Sequence, residues 1–214
     1  MCIFSMECRN LHMHLNWLQT KLQKELPGEQ AHAPYLKYRR IFEAADKTQA
    51  REAAVGIHLF ERNAQCYFYL IERSTYDGQH SGQMAFPGGK KDPEDQHLER
   101  TARRESEEEL GIEQQLGTTA KQLTAVWIPV SRFIVTPFVI VHEQEPILQI
   151  NQREVAHVET IKVLDLLDEK NIQNRDILLP NNQRLEAHPC FILNEKMVWG
   201  ATALMLNELR MMLV

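Results

Sequence analysis

Long apolar runs are missing from this chain: nothing in its 214 residues approaches the ~18 consecutive apolar residues that a membrane-spanning helix needs. The opening residues MCIFSMECRNLHMHLNWLQ mix charge with histidine and hold neither a continuous apolar core nor a small-residue cleavage site. A signal peptide is therefore not expected. An excess of basic charge is also missing. The 24 Lys and Arg face 29 Asp and Glu, for a formal charge of -5, which argues against a nucleic-acid binder, since such domains carry a cationic face. Cysteine is sparse: Cys2, Cys8, Cys66 and Cys190 are scattered, with no CxxC pair and no zinc-like spacing to the nine histidines. The expectation is reduced thiols in a cytoplasmic protein. There is no internal repeat and no low-complexity segment. What is present is 43% hydrophobic residues, enough to core one domain of generous size.

Leu11, Leu15, Leu18 and Leu22 recur every three to four residues and predict a helix over His12–Glu25, stopped by the Pro and Gly of Leu26–Glu29. The basic run Lys37–Arg40 is either a solvated patch or a contact for an anionic ligand. Ala53–Phe60 and Cys66–Ser74 read as strands around a turn at Glu61–Gln65. A loop is expected from Thr75 to Lys90, then a helix from about Gln96 to Leu110, ended by Gly111. Two strands follow between Leu123 and Glu143, where Pro129 and Pro137 suggest edges or bends. Asn151–Val155 reads as a loop and Val158–Lys170 as a strand passing into a short helix. One or two strands surround Pro189–Leu193, and a helix spans Thr202–Met212 with Met211 and Met212 as core or a subunit contact. Strands mixed with few helices imply a layered α/β (α+β) domain.

The stretch RRESEEELGI, Arg103–Ile112, crowds Glu105, Glu107, Glu108 and Glu109 into one helical segment, where each close like-charge pair costs a few tenths of a kcal/mol. On a helical wheel Leu98, Ala102, Ser106 and Leu110 form one stripe that should face a sheet. Glu105, Glu108 and Glu109 border that stripe, while Glu107 points away with Arg103 as its expected partner, and Arg104 can reach Glu108. Three carboxylates at low dielectric raise one another's pKa, and a hard divalent cation reverses this. The alternative is a solvated acidic face. Gly88 and Gly89, just upstream, allow backbone to approach a ligand closely or form a plain turn.

The run GGKKDPEDQHLERTARRESEEELGI, Gly88–Ile112, resembles the Nudix box, G-x5-E-x7-R-E-U-x-E-E-x-G-U with U aliphatic. Arg104, Glu105, Glu108, Glu109, Gly111 and Ile112 match its second half in identity and spacing. Gly89 stands one residue further from Arg104 than the box has it, Asp95 replaces the first Glu, and Ser106 replaces an aliphatic residue. The longer spacing is similar to the coenzyme A pyrophosphatase branch. That branch's upstream signature is matched at Leu70, Arg73, Ser74, His80, Gly82, Gln83 and Phe86–Gly89 and is departed from at Asp77 and Gly78.

The resemblance implies a Nudix α/β/α sandwich with a mixed sheet and a loop-helix-loop box. It implies hydrolysis of a nucleoside diphosphate linked to X, here coenzyme A or a derivative. The departures at Asp77 and Gly78 keep ADP-ribose, NADH or an oxidised nucleotide as alternatives, and a non-catalytic ligand binder is the rival outside the enzymes. The Gly89 carbonyl, Glu105, Glu108 and Glu109 would hold magnesium, with manganese as the alternative. Arg104 would orient Glu108, Glu105 or Glu154 would take the proton unless Glu154 is a surface residue beside Arg153, and Arg73, His80 and Gln83 would contact substrate phosphate or pack the loop. Residues 1–45 are expected as an N-terminal helix and connector on the core or on a second subunit of a homodimer, and residues 46–214 as the hydrolase domain.

Overall fold

The computed structural model describes residues 14–36, 50–74, 83–179 and 182–214; Asp77, Gly78, His80 and Lys37–Arg40 lie outside them. At its centre, β1 (Arg51–Arg62) runs parallel to β7 (Phe133–His142) over ten registered pairs, Arg51↔Phe133 to Phe60↔His142. β7 is rich in β-branched and aromatic residues, and β1 is apolar and buried over most of its middle, as interior strands require. Asn63 and Ala64 turn β1 into β2 (Gln65–Arg73), both with positive φ (53° and 57°), closing on Arg62↔Gln65. This is the geometry of a two-residue hairpin, which Asn adopts cheaply and Ala with strain.

β1 and β2 pair only from Leu59–Arg62 to Gln65–Phe68 and then diverge. The fork is filled by the segment expected as loop: β3 (Met84–Ala85) pairs with β2 and β4 (Gly88–Lys90) with β1. Gly56 N–H donates to the Pro87 carbonyl at 2.9 Å and fixes the segment in the fork. β8 (Val155–Lys162) lines the other side of β2. Beyond β7 lie β5 (Thr118–Gln122) and β6 (Val126–Ile128).

Pro137, expected at an edge or a bend, is not at an edge. It sits inside β7, opposite Val55, where the neighbour on the far side changes from β5 to β6. Its carbonyl accepts from Leu123 N–H at 2.9 Å. A strand residue presents N–H and C=O to the same side, so the missing donor faces the gap between the two short strands.

Alternation sorts the two faces of the sheet. Ala54, Phe138 and Ile140 meet Leu98 and Ala102 of α3 (Leu98–Leu110). Ala53, Ile57, Leu59, Val135, Val139 and Val141 join the larger core with Leu204, Leu206, Leu209 and Met212 of α5 (Gly200–Leu213). A second sheet, β9 (Ile172–Leu178), β10 (Arg184–Leu193) and β11 (Lys196–Val198), adds Phe191, Leu193 and Val198 to that core, and the short α4 (Val163–Leu167) adds Val163 and Leu166. The result is an α/β/α sandwich about a mixed sheet.

The N-terminal helix α1 (Leu15–Leu22) buries Leu18 and Leu22 completely in the core of its own chain. It ends five residues before Pro27. The next helix, α2 (Glu29–His32), is tied down by Asn207 donating to the Ala31 carbonyl at 2.6 Å and by His32 lying 3.4 Å from the buried Glu208.

Candidate active site

The helix α3 places the acidic residues. It starts two residues later than the pattern predicted, because His97 is its N-cap and accepts from Arg100 N–H at 3.2 Å. It ends as predicted at Gly111, whose φ of 72° suits glycine. The expected stripe faces the sheet: Ala102, Ser106 and Leu110 are fully buried.

Glu109 is also buried, at 1% exposure. Its carboxylate accepts from Gly88 N–H at 2.8 Å and lies 3.7 Å from the Arg73 guanidinium. Burial, opposed by Arg73 and Gly88 and reinforced by Glu105 and Glu154, pushes its pKa up to about 7. Glu105 is likewise raised, first by burial, with Glu108 and Glu154 adding repulsion against the pull of Arg104. Glu108 is half exposed on the rim.

Arg104 does more than the expected pairing with Glu108. Its guanidinium contacts Glu105 at 2.9 Å, Glu108 at 3.1 Å, buried Asp95 at 3.1 Å and the Lys90 carbonyl at 3.0 Å. It therefore ties β4, the Asp95 turn and two helix carboxylates into one unit, a use of the planar five-donor fork that a lysine cannot copy. Burial would raise Asp95, but bonds from Arg104, Asp92 N–H and Thr101 prevail and hold it below the ordinary carboxylate range.

The glycines fit around these groups. Gly88 has φ of 153° and lies against the Ala54 carbonyl. A Cβ on Gly89 would occupy the position of the Glu105 carboxylate, so the backbone there touches an acidic side chain directly. Glu154 reaches the same area on an exposed turn. Asn151 N–H donates to the Glu109 carbonyl at 3.0 Å, Gln149 N–H to the Leu110 carbonyl at 2.7 Å, and Ser74 N–H to the Glu154 carbonyl at 2.9 Å. Gln83 continues the β2–β3 ladder, its carbonyl accepting from Arg73 N–H at 3.2 Å. Thus Arg73, Gln83, Gly89, Arg104, Glu105, Glu108, Glu109 and Glu154 come together at one end of the sheet.

The donor set suits a hard divalent cation: oxygen ligands only, two buried carboxylates, Glu105 and Glu109, with raised pKa values, and backbone with no Cβ in the way. Among the described residues no three acidic, histidine or cysteine side chains are already gathered as a metal cage. Glu105 and Glu108 are drawn onto Arg104, and Glu109 onto Gly88 and Arg73.

Two features differ from the sequence reading. Arg103 does not pair with Glu107. It bonds Glu99 at 3.0 Å and the carbonyls of Gln114, Leu116 and Gly117, while Glu107 accepts from Gln114 at 2.6 Å. And Ser106, besides donating to the Ala102 carbonyl at 2.7 Å, meets His58 Nε2 at 2.8 Å, whose Nδ1 lies 2.8 Å from His142 Nε2. Burial lowers the pKa of both imidazoles, with His142 and then Arg103 adding to it at His58 and Arg103 at His142, and brings His142 to about 4. The signal was legible: His58 and His142 occupy positions of the same parity as Ala54 and Ile140 on β1 and β7, facing α3.

A mixed sheet forked around a Gly-Gly segment, with one helix laying buried carboxylates against it, defines an α/β/α protein of loop-helix-loop design with a cation-compatible acidic site. The NUDIX domain model matches residues 50–181, and the chain belongs to the Nudix hydrolase family. It is 31% identical over 173 residues to the human mitochondrial coenzyme A diphosphatase NUDT8, covering 78% of this chain and 73% of that protein. An uncharacterized Nudix hydrolase, NudL of Photorhabdus laumondii, is 30% identical over 142 residues, 65% of this chain and 73% of that protein. In fold alone it is similar to a MutT/nudix family protein from Enterococcus faecalis, with TM-score 0.50, 13% identity, and coverage of 82% of this chain and 66% of that one.

Proposed function

We propose that this Nudix hydrolase cleaves the diphosphate of coenzyme A or an acyl derivative, releasing 4′-phosphopantetheine or its acyl form and 3′,5′-ADP. The observation that carries the reading is Glu109, a carboxylate buried against Gly88 N–H with its pKa near 7. Burying such a group is costly even beside Arg73, and a metal-dependent hydrolase has a use for it. Glu105, Glu108, Glu109 and the Gly89 carbonyl would hold magnesium or manganese. The bound ion would neutralise the diphosphate and lower the pKa of a water.

The chain's own residues do the rest. Arg104 holds Glu105 and Glu108 in place from the side of Asp95. Arg73, 30% exposed beside Glu109, offers a guanidinium to a phosphate oxygen. Glu105 or the exposed Glu154 accepts the proton of the attacking water. Coenzyme A is favoured over other diphosphates by the match at Leu70, Arg73, Ser74, Gln83 and Phe86–Gly89 and by the likeness to the human diphosphatase. The test is product analysis with magnesium over coenzyme A, acyl-coenzyme A, ADP-ribose, NADH and 8-oxo-dGTP. Preference for the coenzyme A substrates with 3′,5′-ADP formed is expected. Preference for ADP-ribose or NADH would overturn the substrate, and turnover untouched by chelation would overturn the metal.

A further inference from the structure

A cleft of about 470 Å³ lies at the edge of the main sheet, outside the carboxylate cluster. The second sheet supplies its apolar wall: Ile177 and Leu178 at the end of β9, Met197 on β11, and Trp199 at the start of α5. Gln83 and Asn182, both carboxamide residues, and Asp176, which pairs with Arg184, complete the lining with Leu179. Leu178 is 71% exposed.

Of the residues that line the cleft, Gln83 is bonded through its backbone to Arg73 of the acidic site. The Arg73 N–H to Gln83 carbonyl bond extends the β2–β3 register of Ile71↔Ala85 and Glu72↔Met84 by one step. Alternation then puts Gln83 on the same face as Ala85, which packs with Phe60, Tyr69 and Leu110 on the α3 side. Arg73, with its guanidinium 3.7 Å from Glu109, is one strand spacing away, about 5 Å. Gln83 and Gly89 are six residues apart, so even full extension separates them by no more than about 20 Å. A flexible chain attached to a diphosphate spans that distance.

Resting on the coenzyme A reading above, we propose that this cleft binds the non-nucleotide arm of the substrate, an amide-containing chain ending in a thiol or an acyl thioester. The lining fits that chemistry: an indole, a thioether and aliphatic side chains for methylenes, and two carboxamides for the amides of the arm. The site thereby reads the X group, while the carboxylates act on the diphosphate.

The test uses Leu178→Asp, whose exposed position keeps the fold out of the result, and Leu178→Ile as the conservative control. With decanoyl-coenzyme A, Leu178→Asp is expected to raise KM about 10-fold, equivalent to ~1.4 kcal/mol, with kcat within about twofold. ADP-ribose, which has no such arm, should show no change, and Leu178→Ile should behave as the parent. Equal effects on both substrates, or none on either, overturn the cleft assignment. A second measurement is independent of turnover: decanoyl-pantetheine, which carries no diphosphate, is titrated by calorimetry into the parent and Leu178→Asp proteins. Binding lost in the variant supports the cleft even if coenzyme A is not hydrolysed, in which case the functional reading alone falls. Coenzyme A hydrolysis without decanoyl-pantetheine binding overturns the cleft and leaves the functional reading standing.

Discussion

Replacing Glu109 by Gln should make the metal-free protein more stable while removing its activity. In the folded chain the Glu109 pKa is about 7, raised by burial from an ordinary value of 4.5. A carboxyl whose folded pKa is raised binds its proton more tightly when folded. Its contribution is therefore fully present below the unfolded value and is lost as pH climbs from 4.5 to 7. At about 1.36 kcal/mol per pKa unit the loss approaches ~3 kcal/mol by pH 8. Glutamine imitates the protonated form: it keeps an oxygen for Gly88 N–H and carries no charge. Arg73 loses its partner but is 30% exposed and stays solvated. At pH 8 with chelator the variant should thus exceed the parent by about 2–3 kcal/mol, or roughly 5–10 °C in Tm for a chain of this size. Magnesium at 100 times its Kd should restore about 2.7 kcal/mol to the parent and little to the variant, whose turnover should fall more than about 100-fold. Thermal melts with and without magnesium at pH 5 and pH 8, together with a hydrolysis assay, decide the matter. A variant less stable than the parent in chelator at pH 8, or equally stabilised by magnesium, would refute the reasoning.

The other expectations concern neighbours of that carboxylate. Arg104→Lys strands the buried Asp95, which should cost about 2–3 kcal/mol in denaturant unfolding and reduce kcat by about 10-fold or more. Gly88→Ala and Gly89→Ala should separate stability from activity. The first puts a Cβ into the Ala54 carbonyl at φ 153° and should unfold the protein in a melt; the second displaces the mobile end of Glu105 and should keep Tm while losing magnesium affinity by calorimetry. Ser106→Ala leaves buried His58 short of a partner and should cost about 1–3 kcal/mol. His142, with a folded pKa of about 4 against 6.5, adds stability that is complete above pH 6.5 and lost as pH falls toward 4. His142→Gln should flatten the melting profile over that window by up to ~3 kcal/mol.

What could be read in the sequence was whatever depends on near neighbours. The stripe Leu98, Ala102, Ser106, Leu110 and the stop at Gly111 follow from the helical period and one cap, and both are present. β5 and β9 were missed because TTAKQ and IQNRDIL carry little apolar alternation; the described burial of both strands is mostly partial or absent. β3 and β4 were missed because two or three residues show no period at all, and only the fork between β1 and β2 gives them partners. Arg103 was paired with the wrong group because helical spacing offered Glu107, while the carbonyls that hold Arg103 lie in a turn whose shape the period does not carry. The two readings of four crowded glutamates, solvated face or cation site, differ on the same ground. Glu107 and Glu109 are identical in type and two residues apart, and helical geometry sends one toward Gln114 and the other under the sheet. What makes the second position tolerable for a carboxylate is Gly88, whose N–H reaches it only because no side chain holds β4 away from Ala54. The glycine upstream, rather than the number of acids, is what separates buried Glu109 from surface Glu107.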